Sequence, residues 1–505
     1  MSDFLKSTLL HPFLFAFFPI VFIFSINVDI LEPNEIIFPF LIIGIITLVL
    51  IFIIRLGLKK EKTSLIISLG MILFFSYGHI FNLFDSIFSI KEIHILGGLF
   101  VMFIAGAIFF VKTSKKLDNV TTIVNVMAIS LIAISSVSII SYYLDPSSYD
   151  ESSLNINDEF LQLGNIIENK PNVYFIILDA YSGSEILNEL FEFDNSEFIS
   201  FLNEKGFDVI KNSHSNYAST EESISSTLNM DYVHNRLPNM EGEYRLGVVG
   251  RTIDNNIVMK NFKELGYQII NFNSGVGFTR SLQIADITLC EKFGGGLMNL
   301  EMIRLVTKNS MMFPIQTKLY QNDMRNQILC IYSELPNVEK NSNEPFFAFV
   351  HIFIPHRPFI FDQYGNPTGV ENIEIANVNE DKKGYLNQLM FASKKTKEVI
   401  TEILDTSKTK PIIIIQGDHG ATVIKGFETF NEDAIRDRYS ILNAYYFPQE
   451  IQIQPYEGIS SVNTFRLIFN NYFNSNYELI EDKSYIINTE NSESVDMTKY
   501  LIQKD

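Results

Sequence analysis

Cysteine is scarce. Only Cys290 and Cys330 occur in 505 residues, with no CxxC pair and no Cys/His spacing of a zinc finger, so cysteine fixes neither the fold nor a metal site. One disulfide outside the cytoplasm and two separate buried thiols are both open readings. Basic residues are also outnumbered: 39 Lys and Arg stand against 58 Asp and Glu, a formal net charge of −19. An acidic chain does not suggest a nucleic-acid partner. The imbalance is local. Before Asp145 there are 9 basic and 8 acidic residues, which leaves 30 and 50 after it. Residues 1 to 144 are dominated by Phe, Ile, Leu and Val, whereas the rest is an ordinary mixed sequence, so a boundary falls near Leu144.

Runs of charge are missing from five apolar stretches, at about 10–31, 36–56, 64–84, 93–111 and 121–143. A bilayer core about 30 Å thick needs roughly 20 apolar residues per helix, and each stretch is of that order. A cleaved signal peptide accounts for the first stretch at most. Basic residues mark alternate connections: Lys6 precedes the first helix, Arg55, Lys59, Lys60 and Lys62 fill the second connection, and Lys112, Lys115 and Lys116 fill the fourth. The first connection holds acidic Glu32 and Glu35, and the third only Lys91. Lys and Arg near helix ends stay on the cytoplasmic side. Five crossings with the N-terminus inside therefore place everything after Leu144 outside the cytoplasm. His79 and His94 lie within or beside these helices, near predicted helix ends, where an interfacial position suits them. The scarcity of intramembrane charge weighs against a transporter.

Residues 145–170 are rich in Ser, Asp, Glu and Asn and read as a juxtamembrane linker. A domain over 171–448 follows, and 449–505 reads as a C-terminal extension. Short continuous apolar runs at Val173–Leu178, Tyr267–Phe272, Phe346–Ile352 and Pro411–Gln416 have the pattern of strands buried on both faces. Helical stretches lie between them at Asn195–Lys205, Asn255–Leu265 and Tyr385–Leu404. The alternation predicts an α/β domain with a mostly parallel sheet covered by helices, behind an all-α transmembrane bundle.

In such sheets reactive groups gather at the carboxyl ends of strands. Asp179 follows the first run, His356 lies just past the third, and Asp418-His419-Gly420 follows the last. Ser219-Thr220 leads into a predicted helix. A divalent cation held by Asp179, Asp418 and His419, with the Thr220 hydroxyl as a fourth ligand, would ionise that hydroxyl at neutral pH. Helix-start N–H groups favour a phosphate or sulfate, and His356 would neutralise charge or protonate the leaving oxygen. Each feature has a structural alternative. Ser219 and Glu222 fit a capping box, Asp179 fits a helix cap, and His351 fits a core position or a supporting residue. His214 and His234 read as surface or loop residues. Arg357 is placed either to clamp a phosphate or to pair with a carboxylate.

The segments PNVYFIILDAYSGSEIL, SNYASTEESISSTLNMDY, FVHIFIPHRPFIFD and QGDHG, spread over roughly Lys170 to Pro448, resemble the sulfatase-like branch of the alkaline phosphatase superfamily. Five helices ahead of an outward domain resemble the lipoteichoic acid synthase and phosphoethanolamine transferase architecture within it. The resemblance implies an α/β sandwich and metal-dependent phosphate or sulfate ester transfer through a covalent intermediate. It implies a metal on Asp179, Thr220, Asp418 and His419, with Thr220 the nucleophile and His356 the substrate-facing histidine. The ion, whether manganese, zinc, magnesium or calcium, stays open. A C/S-x-P-x-R motif is absent, which disfavours sulfate ester hydrolysis, and no His follows His419, which implies one principal metal. The synthases resembled have Glu where Asp179 stands. The expected function is a membrane-anchored transferase of phosphoglycerol- or phosphoethanolamine-type groups acting on a lipid-linked or glycan-linked ester. A phosphodiesterase and an inactive binding module are the alternatives.

Overall fold

The computed structural model describes residues 6–88, 92–144, 170–237, 246–291, 301–342, 344–369, 378–448, 453–488 and 492–501. All but Lys170 of the expected linker lies outside these residues. The chain divides into two compact units: Met1–Tyr149 with Gly295–Gln321, and Asp150–Gly294 with Asn322–Asp505. A segment from the second half of the sequence thus belongs with the N-terminal helices.

The first unit contains α1 (Leu10–Ile26), α2 (Ile37–Arg55), α3 (Lys60–Phe75), α4 (Tyr77–Phe88), α5 (Glu92–Lys112) and α6 (Asp118–Leu144). Pro33–Arg55, Glu92–Lys112 and Asp118–Leu144 are long and apolar enough to cross a membrane. The pair α3 and α4, bent by 44°, makes a fourth span if counted as one, and α1 is apolar but shorter at 17 residues. The break between α3 and α4 has a packing cause. Met311 N–H donates to Phe74 O at 3.0 Å and Gly78 N–H donates to Asn309 O at 3.2 Å, so a returning segment takes over backbone groups that a continuous helix would pair. Gly78 permits the approach, because a Cβ there would lie 2.8 Å from Asn309 Cα. Three polar side chains buried in this unit find acceptors or partners within it: Thr47 bonds Ile43 O at 2.7 Å, Ser64 bonds Lys60 O at 2.8 Å, and His11 Nδ1 pairs with Ser68 at 2.6 Å. His79 and His94 are exposed.

The second unit is built on a seven-stranded sheet. Its strands are β1 (Val173–Leu178), β2 (Asp208–Val209), β3 (Gln268–Phe272), β4 (Ile287–Leu289), β5 (Phe346–Ile352), β6 (Ile412–Gln416) and β7 (Asn443–Tyr446), in the order β2-β7-β6-β1-β5-β3-β4. From β6 through β1, β5 and β3 to β4 every pairing is parallel, whereas β7 runs antiparallel to β6 and β2. β1 and β5 begin and end at the residues the apolar runs mark, and β6 and β3 start one residue later than theirs. Every β1 residue is buried, because alternate side chains enter opposite cores. Val173, Phe175 and Ile177 join Phe347, Phe349, Ile412 and Ile414 against the helices Ile257–Glu264 and Thr464–Tyr472, whose Phe262, Phe465 and Phe469 fill that face. The helix Thr464–Tyr472, from the expected C-terminal extension, is therefore part of the core. Cys290 and Cys330 form a disulfide with Cα atoms 5.9 Å apart, which selects the first of the two readings.

Candidate active site

β1, β5 and β6 are adjacent and parallel, so their carboxyl ends open onto one edge. Asp179 is the residue after β1; its N–H donates to Ile352 O at the end of β5, and its carbonyl accepts from His356 N–H, both at 3.0 Å. Asp418 and His419 come two and three residues after β6. The glycines around them serve close approach. A Cβ on Gly417 would lie 2.5 Å from Tyr181 O, and one on Gly420 would lie 1.9 Å from Asp437 O. Asp437 holds the following loop by accepting from Val423 and Ile424 N–H at 2.7 and 2.9 Å; burial pushes its carboxyl up to about 6.

Thr220 opens the helix Thr220–Asn229. Ser219 occupies the cap position without capping a backbone N–H, because its hydroxyl donates to the Glu222 carboxylate. The expected capping box is replaced by a side-chain pair. The loop before Thr220 is tied by Asn216, whose side chain bonds Ser460 Oγ (2.9 Å), Lys483 O (2.8 Å) and Val462 N–H (2.8 Å). Tyr485 N–H bonds Asn216 O at 2.8 Å, and Arg438 Nε bonds Ala218 O at 2.9 Å. The expected C-terminal extension thus fixes the loop that carries Thr220.

The four residues expected to share a cation converge on one nitrogen. His419 Nε2 lies 3.3 Å from Thr220 Oγ1, 3.6 Å from Asp179 Oδ1 and 3.7 Å from Asp418 Oδ2. His419 Nδ1 is 2.8 Å from Gly420 O, and a carbonyl only accepts, so Nδ1 carries a hydrogen and Nε2 is the nitrogen that faces the carboxylates. Asp418 Oδ1 accepts from Ala180 and His419 N–H, each at 3.0 Å. Asp418 Oδ2 and both oxygens of Asp179 are buried without a hydrogen-bond donor. Buried carboxylate oxygens facing lone pairs are costly unless a positive charge stands between them, so the residues fit a cation. Asp179, His356 and His419 form one group able to hold an ion, and Asp179, His351 and Asp418 form another.

His356 sits beside His419, ring centroids 5.7 Å apart, and its Nδ1 is bonded to Arg357 O, which leaves Nε2 as the exchangeable nitrogen. Burial holds its basicity below the usual histidine value, with the positive character of His419 acting in the same direction against Asp179. Burial alone would raise the Asp179 carboxyl, but His356, His351 and His419 outweigh it and bring it to about 2.

His351 and Glu221 enter the site without a clear signal in the sequence. His351 lies inside the apolar run of β5, yet its Nε2 is 3.2 Å from Asp179 Oδ2 while Nδ1 pairs with Thr279 at 2.7 Å. Burial would lower it, and Asp179 outweighs burial and raises it. Strand alternation is the one available clue, since His351 is the register partner of Ile177, two positions before Asp179 on the neighbouring strand. Glu221 lines a cavity of about 70 Å³ together with Asp179, Thr220, Gly277, Phe278 and His351. Burial first, then Glu222, Asp179 and Asp418, push its carboxyl up. Arg357 takes the second of its two readings, pairing with Asp381 at 2.5 Å. His214 and His234 are half-buried: burial and the charge of Arg436 take His214 down to about 4, and His234 Nδ1 pairs with Tyr217 at 3.0 Å.

A family model described as Sulfatase matches residues 171–467. No curated protein matches the chain. Among solved structures, the chain is similar to the C-terminal periplasmic domain of EptC from Escherichia coli in complex with zinc, at 13% identity and a TM-score of 0.45, over 67% of this chain and 95% of that one. It is also similar to the integral membrane protein lipooligosaccharide phosphoethanolamine transferase A from Neisseria meningitidis, at 12% identity and a TM-score of 0.41, over 90% of this chain and 94% of that one. A third is the C-terminal periplasmic domain of phosphoethanolamine transferase EptC from Campylobacter jejuni, at 13% identity and a TM-score of 0.41, over 62% and 92%. At these identities and scores the likeness says nothing about activity.

Proposed function

Because the chain belongs to the sulfatase family, we propose that it is a membrane-anchored, metal-dependent transferase that moves a phosphoryl-bearing headgroup from a lipid-linked or glycan-linked ester through a covalent adduct on Thr220. The observation that carries this reading is the convergence of the Thr220 hydroxyl and orphaned oxygens of Asp179 and Asp418 on His419 Nε2. Asp179, Asp418, His419 and Thr220 would hold the ion, which is divalent and whose identity (manganese, zinc, magnesium or calcium) the donor set leaves open. When bound, it supplies Lewis acidity that lowers the pKa of the hydroxyl and offsets the charge of the phosphate.

The residues of this chain do the rest. Asn216 and Arg438 hold the loop of Thr220, and the Asp418 backbone bonds fix the opposite side. The Thr220 oxygen, its proton lost to solvent, forms a bond to phosphorus as the bond to the leaving oxygen breaks. His356, in its protonated form, gives that oxygen a proton from Nε2; burial disfavours this form, and the Asp179 carboxylate favours it. An acceptor hydroxyl then attacks phosphorus, giving its proton to the now neutral His356 Nε2, as the bond from phosphorus to Thr220 Oγ1 breaks and frees the threonine oxygen. The absence of the C/S-x-P-x-R motif favours a phosphate ester over a sulfate ester.

Three observations support a sulfatase unit outside the cytoplasm. Basic residues gather at 55–62 and 112–116. The Cys290–Cys330 disulfide suits an oxidising compartment. Within the helical unit, the helix Glu301–Lys308 docks where Met302 N–H meets Glu35 Oε2 at 3.3 Å, at the first connection, which is not a basic one. Five crossings, counting α1 and the bent pair as one span each, agree with this. At 17 residues α1 is at the short end of what spans a bilayer.

Transfer and hydrolysis differ only in the acceptor. Incubating the full chain in lipid vesicles with a headgroup-labelled phospholipid and a lipid-linked glycan should give labelled glycan plus diacylglycerol, and Thr220→Ala should give neither. Free labelled phosphomonoester as the main product would establish the hydrolase instead, and turnover by the Thr220→Ala variant would refute the nucleophile.

A further inference from the structure

Residues 301–321 are the part of the post-linker sequence that folds with the membrane helices. Their inner side is committed. Met302, Val306 and Leu305 pack with Phe15, Ile20, Ile23 and Phe24 of α1, and Phe313 packs with Leu73, Tyr77, Phe81 and Leu99. Phe313 forms an aromatic group with Tyr77 and Phe81, centroids 6.5 and 6.1 Å away. The outer side is apolar in a different way. Along the helix Phe313–Glu334, Ile315 is 56% exposed and Leu319 43% exposed, one turn apart on one face, with exposed Lys318 beside them. At 1.5 Å per residue they stand only about 3 and 9 Å along the axis from Phe313, which is seated among the membrane helices.

We propose that this face rests in the phospholipid surface at the outer end of the bundle, with Ile315 and Leu319 among acyl chains and Lys318 at the phosphates. Continuity names the occupant. The same unit exposes Ile26, Ile37, Ile72 and Ile93 at the ends of its apolar helices, and Ile315 and Leu319 extend that lipid-facing surface by less than the about 10 Å depth that interfacial helices occupy. A cation flanking two aliphatic residues matches an acyl chain below a phosphate, and such a lysine is drawn to an anionic surface.

The inference rests on the membrane reading above, and its test separates the two. The native cysteines pair with each other, so a nitroxide can be placed singly by Ile315→Cys, Leu319→Cys, Lys318→Cys, and two references: Ile134→Cys on α6, 68% exposed, and Tyr364→Cys in the sulfatase unit, 72% exposed. In vesicles of phosphatidylethanolamine and phosphatidylglycerol, the ratio of oxygen to nickel-chelate accessibility should be several-fold higher at 315 and 319 than at 364, with 318 between. Chelate accessibility at 315 and 319 equal to that at 364 overturns the proposal while an oxygen-rich signal at 134 keeps the membrane reading. Loss of access to both reagents at 315 and 319 also overturns it, because protein, such as a second copy, then covers the face. A chelate-accessible 134 sinks the membrane reading itself.

Discussion

Thr47 in the helical unit is fully buried, and its hydroxyl bonds Ile43 O one turn back on its own helix. Asp179 in the sulfatase unit is equally buried, and neither of its oxygens has a donor. In the first unit Ser64 repeats the local solution, bonding the carbonyl four residues earlier. In the second, Asp179, Asp418 and Glu221 share one neighbourhood with three histidines. The first arrangement needs nothing beyond the chain, because the acceptor carbonyl is already part of the helix ladder. The second gathers carboxylates that the neighbouring histidines balance in part, and their orphaned oxygens suit a further positive group. The contrast distinguishes a polar residue that a bundle tolerates from one that a reaction requires.

The largest effect should come from unbalancing the second arrangement. A divalent ion present at 100 times its dissociation constant adds about 2.7 kcal/mol to a fold that alone binds it. The wild-type chain in detergent should show that rise in a denaturation series, and Asp179→Asn should lose it together with turnover. An undiminished rise in Asp179→Asn would mean that the ion sits elsewhere and that the contrast between the units is misplaced. The smallest effect belongs to the first arrangement. Thr47→Val keeps the shape and removes a bond internal to one helix, so it should shift stability by less than about 1 kcal/mol in a steric-trapping or denaturant measurement. A larger loss would show that the hydroxyl has a role beyond its own turn.

Much of this was legible in the sequence, for reasons that differ by element. The central strands declared themselves because β1 and β5 are buried on both faces, so their runs are apolar apart from His351. Asp179, His356, Asp418 and His419 stood out as polar residues interrupting those runs, and the parallel order β6-β1-β5 brings them to one edge. For His351 the same logic leaves a core position and a supporting residue both open, and the contact with Asp179 on the neighbouring strand's end selects the second. Glu221 carried no signal of its own, because the carboxylate that fits a capping box is its neighbour Glu222 and nothing local in the sequence shows a cavity beside Glu221. The break between α3 and α4 and the return of residues 301–321 to the helical unit were hidden, since apolar periodicity is local and the bonds from Met311 to Phe74 and from Gly78 to Asn309 join residues over 200 positions apart.

The account depends on a cation-activated Thr220. Reacting the purified full chain with a labelled phosphodiester, quenching in acid and mapping peptides should place the label on the peptide carrying Thr220, with one mole of divalent metal per chain before reaction and no label after chelation. Label on another residue, or an undiminished Thr220 adduct in metal-free protein, would contradict it.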